Sequence, residues 1–433
     1  MGADDYTGCE TLYLQHPEFR AGSACPDCAA CNSKGILAVE DRPRFLLRLE
    51  GQPMITGTKY ALETTRCNLC RARFYTQAPE VIAQTPKYDA SCISTLALAR
   101  YSMGLPMSRI EAHQAMHGIP LPDATQWDLL KKGSGHIQPI LTALINEAAN
   151  GELMYYDGTP NRILEHQTKG KASHTTAFIS VVNEKKVHLF FTGTSTPATQ
   201  VDSLLSQRTT EIPLTAMMDA SSTNFPKALS ASLTARFILC FCLVHGRRKF
   251  YELVPFFEKQ CSFVLSIFSG VYANEAYCRN TGLSPTERLI YHQTHSAPLM
   301  EGLYHWLNKQ LLYDQTEEHS GYGKAIKYML RHWHPLTSFL RIAGAPLDNN
   351  WAERMIRIVI RHRRNSLYYR NQTGAAIGDC YMSLIYTAKE NGVNPVEYLT
   401  VLQDNVESVA AHPERWFPWN YKLALNTEMA QAA

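Results

Sequence analysis

Gly151-Glu-Leu-Met-Tyr-Tyr-Asp-Gly-Thr-Pro160 is where the chain changes texture. Leu153 to Tyr156 is short, apolar and aromatic, and two runs of the same kind follow it, Thr176 to Val182 and Val187 to Thr192. β-Branched and aromatic side chains fit a pleated, buried surface, so the three runs are predicted to be successive strands. A helical stretch near Thr199 to Gln207 leads to a strand over Ile212 to Met218, and another near Phe225 to Leu233 leads to a strand over Arg236 to Val244.

A three-strand meander followed by alternating helix and strand defines an α/β, multidomain chain whose centre matches a ribonuclease-H-like core. Asp157 ends the first strand and Asp219 ends the fourth, so two carboxylates are expected side by side at one end of the sheet. From about Gly246 to Ala345 the pattern is helical with aromatic anchors such as Phe256, Phe257, Trp306 and Trp333, which reads as an insertion. Beyond it, Asp348 or a neighbouring Asn in Leu347-Asp-Asn-Asn350 is placed to cap a helix whose first turns carry Glu353 inward. A single Asp or Glu is ordinarily a cap or an ion-pair partner, but three converging carboxylates suit magnesium or manganese, hard cations that prefer oxygen. Two such ions at the active site would activate an attacking oxygen and stabilise a leaving one. Asp202, the rival to Asp219, falls in a predicted helix. A final helical segment is expected over Ala375 to Asn391, with Asn394-Pro395 starting another.

At 433 residues the chain is too long for one ordinary core. With 45% hydrophobic and 19% charged residues it is expected to pack as a globular protein. The longest apolar run, Phe237 to Val244, is far short of the roughly 20 residues of a membrane helix, so no membrane partner is expected. The start, MGADDYTGCE, has no apolar run behind a positive patch, which argues for a cytoplasmic protein. Net charge is only +3, so the distribution matters more than the total. Between Arg354 and Arg370 there are six arginines and no acidic residue or Lys. A solvated helix face is the plain reading of such a run. Its position beside Glu353 makes Arg354, Arg357, Arg361, Arg363 and Arg364 candidate DNA phosphate contacts, together with Arg247, Arg248 and Lys249.

Cys25-Pro-Asp-Cys28 and Cys67-Asn-Leu-Cys70 are four thiols at the spacing of tetrahedral, structural zinc, with Cys31 a spare. They define a zinc ribbon over 25–86, after an N-terminal extension over 1–24, and Lys59, Arg66, Arg71 and Arg73 would let it touch DNA. Ser108-Arg-Ile-Glu111 and Asp123-Ala-Thr-Gln126 both have the form of a helix-starting capping box. Two helices joined through Gly118-Ile-Pro-Leu-Pro122 make 87–150 a helix-turn-helix-like DNA-binding segment. The core then spans 151–245, the insertion 246–345, the Glu-bearing helix 346–372 and a helical segment 373–433. His113 with His117, His292 with His295, and His332 with His334 lack an evident third ligand and read as surface or core residues. Cys242-Leu-Val-His245 lacks two further obvious ligands, so a structural or DNA-positioning role is expected, and Trp351 is expected to pack on the sheet.

From Cys25 onward the chain resembles the insertion-sequence-66 transposase family. The residues that carry the resemblance are the two cysteine knuckles, Asp157-Gly-Thr-Pro160, Cys242-Leu-Val-His245 running into Arg247-Arg-Lys-Phe250, Leu347-Asp-Asn-Asn-Trp-Ala-Glu-Arg354, and Ser383-Leu-Ile-Tyr-Thr-Ala388 before Asn394-Pro395. The resemblance implies a DDE transposase with Asp157, Asp219 and Glu353 as its acidic triad, cutting element ends and joining their 3′-hydroxyls to target. It implies double-stranded DNA as partner, a homo-oligomer on that DNA, companion proteins of the element, and a bacterial, nucleoid-associated setting. A metal-dependent nuclease or resolvase shares fold and triad. A former transposase that only binds DNA would be expected to lack a triad carboxylate, and all three are present.

Overall fold

The computed structural model describes residue 36, 54–62, the strand backbones at 64–66 and 73–75, 77–312 and 316–432. The chain divides into two units, 1–53 and 54–433. The candidate zinc ligands Cys25, Cys28, Cys67 and Cys70 lie outside the described residues. Within the second unit, β1 (Thr64–Arg66) and β2 (Arg73–Tyr75) pair antiparallel. The main sheet holds β3 (Leu153–Asn161), β4 (Ser173–Val182), β5 (Lys185–Gly193), β6 (Leu214–Met218) and β7 (Phe237–Phe241), in the order β5-β4-β3-β6-β7. β3, β4 and β5 form an antiparallel meander, and β6 and β7 add parallel to β3. Asn183 and Glu184 turn β4 into β5 with φ of 47° and 66°, the positive pair that lets a two-residue turn follow the strand twist.

Each of the five strands forms where the side-chain pattern places it, with one consequential difference. β3 runs on to Asn161 beside β4, so Asp157 is inside a strand, just past the point where β6 stops pairing with it. The first crossover helix, Pro197–Leu205, is as expected. The second is not: between β6 and β7 there is a single 3₁₀ turn, Ser222–Asn224, and one turn of helix, Ala231–Thr234. Pro226 has no N–H to give a helix, and Asp202 takes the N–H groups of Lys227 and Ala228, so the backbone there is satisfied without one.

Helices α1 (Ala90–Ala97), α2 (Met107–Met116) and α3 (Asp123–Ala149) precede the sheet, and α4 (Pro197–Leu205) links β5 to β6. Neither proposed capping box forms. α2 and α3 begin at Met107 and Asp123, after prolines, with no side-chain cap. Gln126 instead donates to the carbonyls of Met107 and Leu121, and Glu111 accepts from Asp123 N, which braces the helix pair. α3 buries Ile137, Ile140, Leu144 and Ala148 completely. At Gly133 a Cβ would sit 2.5 Å from both Ile93 Cγ2 and Tyr381 Oη, so this close crossing needs glycine.

After β7 come α5 (Leu243–Tyr251), then α6 (Glu258–Asn280), α7 (Pro285–His295), α8 (Ala297–Leu312) and α9 (Gly321–Arg331), the helical stretch expected between core strands and Glu353. Glu275 pairs with Arg288 at 2.7 Å and with the buried His292 at 3.0 Å, and Arg288 donates to Ala345 O. That network ties the helical stretch to the segment leading into α10 (Asn350–Ser366) and makes His292 a core residue. α11 (Gln372–Glu390) and α12 (Pro395–Asp404, with Asn394 as its cap) follow. Among the described residues no helix is long and apolar enough to cross a membrane.

α11 closes the open edge of the sheet in a way composition does not reveal. The outward N–H groups of Lys186, His188, Phe190 and Thr192 on β5 donate to Asn391, Thr387, Ser383 and Asp379 at 2.6–3.2 Å. Asn391, Thr387 and Gln372 return bonds to the carbonyls of Lys186, His188 and Thr192. Two strand residues advance about 6.6 Å and four helical residues about 6 Å, so polar side chains every fourth residue meet every second N–H. An edge strand with unpaired groups templates association with other chains; here a helix occupies it.

Candidate active site

The strand register brings the first two carboxylates together. Tyr155 pairs with Met217, and the same offset sets Asp157 opposite Asp219, one residue past the end of β6. Parallel neighbours in register point to the same face. Asp219 Oδ1 accepts from Ser221 N at 3.1 Å and from the Asn224 amide, leaving Oδ2 without a partner among the described residues. Asp157 Oδ1 accepts from Gly158 N at 2.8 Å. Asp202, by contrast, accepts from Lys227 N and Ala228 N and so holds that loop.

Glu353 arrives on the first turn of α10, where the positive end of the helix favours a carboxylate. The helix starts where expected but is anchored differently. Asp348 Oδ1 accepts from Asn350 N, whereas Asn349, at the N-cap, makes no side-chain cap. Its amide donates to Tyr156 O at 3.0 Å and its backbone N–H to Cys242 Sγ at 3.2 Å. Asn349 therefore ties the Glu-bearing helix to the residue next to Asp157, a positioning role that the sequence pattern alone did not reveal. Trp351 packs on Tyr155 and His188 of the sheet, as expected. We expect Asn349→Ala to cost about 1–3 kcal/mol of stability by orphaning the Tyr156 carbonyl. Per folded molecule it should also lose roughly 10–100-fold in metal-dependent activity, the usual scale for a support residue. Unchanged activity per folded molecule would make Asn349 merely structural.

Burial pushes the Asp157 carboxyl up to about 7; the Gly158 N–H opposes this, and the charges of Asp219 and Glu353 reinforce it. The three carboxylates thus share one electrostatic site. A divalent cation fits this donor set, since Asp219 Oδ2 has no partner among the described residues and clustered negative charge needs a counter-ion. Because a cation must displace the Asp157 proton below about pH 7, any divalent-cation affinity of this site should strengthen roughly tenfold per pH unit up to that point and level off above it. Calorimetric titration between pH 5.5 and 8 checks this, and a pH-independent affinity would contradict it.

The basic residues separate into two groups. Arg248 and Lys249 line a cleft of about 300 Å³ with Asp219, Ser221, His245 and Tyr328, while Arg247 is exposed over Tyr251. On α10, positions 354, 357, 361 and 364 form one exposed stripe opposite the buried Ala352, Met355, Ile356 and Val359. Two arginines are already engaged: Arg361 donates to Ser102 O at 2.7 Å, and Arg363 donates to Pro160 O at the end of β3. Arg354, Arg357 and Arg364 make no hydrogen bond or ion pair with the described residues. The side-chain pattern did not disclose a further neighbour: Cys242 and His245 lie against Glu353, their ligand atoms within 4.8 Å of one another.

Residues 87–377 match the model of a family described as Transposase IS66 family. Three relatives come from Sinorhizobium fredii. The uncharacterized protein y4hP is 26% identical over 86% of this chain and 70% of its own length. The uncharacterized protein y4jD is 34% identical over 45% of this chain and 38% of its own, and y4qI is 24% identical over 80% and 65%. The chain therefore spans only part of the length of the curated relatives it matches.

Proposed function

Because the chain belongs to the IS66 transposase family, we propose that it is a DDE transposase, cleaving element ends and joining the freed 3′-hydroxyls to target DNA. The observation that carries this reading is the meeting of Asp157, Asp219 and Glu353, from two adjacent strands and a helix, at one end of a mixed sheet. The strand order β5-β4-β3-β6-β7, with an antiparallel meander and two parallel additions, supports a ribonuclease-H-like core interrupted by a helical insertion. Asp157, Asp219 and Glu353 would hold two magnesium or manganese ions, which when bound supply Lewis-acid activation of water and stabilisation of the leaving oxygen. Glu353 is held to the sheet by Asn349, so the helix cannot drift from Asp157. Arg248 and Lys249, which line a cleft with Asp219, would bind the scissile phosphate.

The exposed stripe on α10 is read as a track for the DNA backbone, α2 and α3 as the reader of element ends, and the cysteine knuckles as a structural zinc ribbon. Double-stranded DNA, a homo-oligomer assembled on it, companion proteins and a cytoplasmic, nucleoid-associated setting belong to the same reading. Replacing Arg354, Arg357 and Arg364 together by Ala should weaken binding to any DNA sequence. It should also lower the slope of log affinity against log salt by about 0.9 for each phosphate no longer neutralised. An unchanged slope would return the stripe to ordinary solvation. Arg361 and Arg363 make poorer probes, since their replacement also cuts intramolecular bonds.

The proposal is tested by incubating the full chain with native element ends, target DNA and magnesium. Nicked ends and joined product are expected. Nicking without joining would indicate a nuclease or resolvase, and binding without either a DNA-binding protein alone.

A further inference from the structure

Cys242 closes the row that Asp157 and Asp219 begin. Met218 pairs with Phe241 across β6 and β7, so the next residues, Asp219 and Cys242, are also neighbours in register. Cys242 is the N-cap of α5, and the C-x-x-H spacing brings His245 back one turn later to the same end of that helix. Glu353 reaches this corner from α10, and the ligand atoms of Cys242, His245 and Glu353 all lie within 4.8 Å of one another.

Three features of this corner fit a bound cation better than plain packing. Cys242 is fully buried, and its sulfur accepts the backbone N–H of Asn349 at 3.2 Å. A thiol is a weak acceptor, whereas a metal-bound thiolate is stabilised by such a donor. His245 Nδ1 is buried with no hydrogen-bond partner, and so is Glu353 Oε1. Two orphaned polar atoms beside a cradled sulfur each cost free energy, and one ion would satisfy all three.

We propose that Cys242, His245 and Glu353 form a separate transition-metal centre that takes zinc and fixes the Glu353 side chain. Thiolate, imidazole and carboxylate together form the donor set of zinc and its neighbours, not of magnesium. Three protein ligands leave a fourth position open to water or to a DNA oxygen. The two oxygens of one carboxylate can serve two ions, so Glu353 would belong to this centre and to the acidic site at once. Metal content at this corner does not depend on whether the chain transposes.

The test uses the full chain, purified with zinc present and analysed for metal per chain. His245→Ala and Cys242→Ser should each hold one zinc equivalent less than the wild type, and His245→Cys, which restores a ligand, should regain it. Asp157→Asn should keep the full zinc complement while losing cleavage, which separates this centre from the magnesium reading. With cobalt in place of zinc, the sulfur-to-metal charge-transfer band should lose one thiolate's intensity in Cys242→Ser. Equal zinc in wild type and His245→Ala, with circular dichroism showing both folded, overturns the proposal. Should Cys242→Ser fail to fold, the His245→Ala and His245→Cys pair decides alone.

Discussion

Glu353→Gln should give a folded chain that still binds element ends but in which cleavage and joining both collapse, by roughly a thousandfold or more. That scale follows from the several kcal/mol a bound ion contributes to transition-state charge stabilisation, at about 1.4 kcal/mol per factor of ten. Gln keeps the size and helix propensity of Glu, so α10 should survive. The competing role for Glu353, an i,i+4 pair with Arg357, is absent from the structure, where no ion pair among the described residues includes Glu353. The collapse therefore cannot be attributed to a broken surface bridge, itself worth under about 1 kcal/mol. The measurement is strand cleavage and transfer at saturating magnesium beside a binding assay on the same preparation. Near-normal cleavage by Glu353→Gln would remove it from the triad.

Asp379→Ala should be the most damaging single change to stability outside the main core. The carboxyl is buried, 2.6 Å from both Thr192 N and Thr192 Oγ1. Thr192 Oγ1 continues through Thr175 to Asn161, so one polar chain crosses β5, β4 and β3. Truncation orphans the edge N–H and the end of that chain, at about 3 kcal/mol, and reopens the β5 edge. Denaturant unfolding and concentration-dependent association would report both effects, and an unchanged midpoint would show that water replaces the carboxylate at no cost. The pH dependence has a definite sign. Burial pushes Asp379 up to about 7, while the hydrogen bonds from Thr192 pull it down. The folded state thus holds this proton more tightly than the unfolded state, where the carboxyl titrates near 4. Its contribution is fully present below about pH 4 and is lost as the pH rises through about 7. Asp379→Asn, which stays neutral, should lose that decline relative to wild type.

Legibility differed from element to element. The strands were readable because β-branched and aromatic runs have few other stable settings, and α10 because Asp348 and its neighbouring Asn residues mark a helix start just before Glu353. The second crossover helix was misread, since the carboxylate of Asp202, more than twenty residues earlier in the chain, takes the N–H groups a helix would have used. The capping boxes at Ser108 and Asp123 failed for a related reason: prolines one or two residues earlier set the helix starts, and Gln126 found longer-range partners. The helix-borne seam on β5 carried a signal, polar residues every fourth position from Asp379 to Asn391. That pattern gains meaning only once a strand edge is known to lie against it.

The sequence by itself determined the element order, the mixed sheet, the strands that bring Asp157 and Asp219 to it, and the helix that carries Glu353, because local side-chain preference and periodicity decide such things. What only the tertiary structure decided was which polar groups meet. Register set Asp157 beside Asp219 and Asp219 beside Cys242, Asn349 fastened the helix to Tyr156, and the fold set Glu353 against His245. Those contacts join residues far apart in the chain, and their free energy depends on burial and on partners that no local pattern encodes.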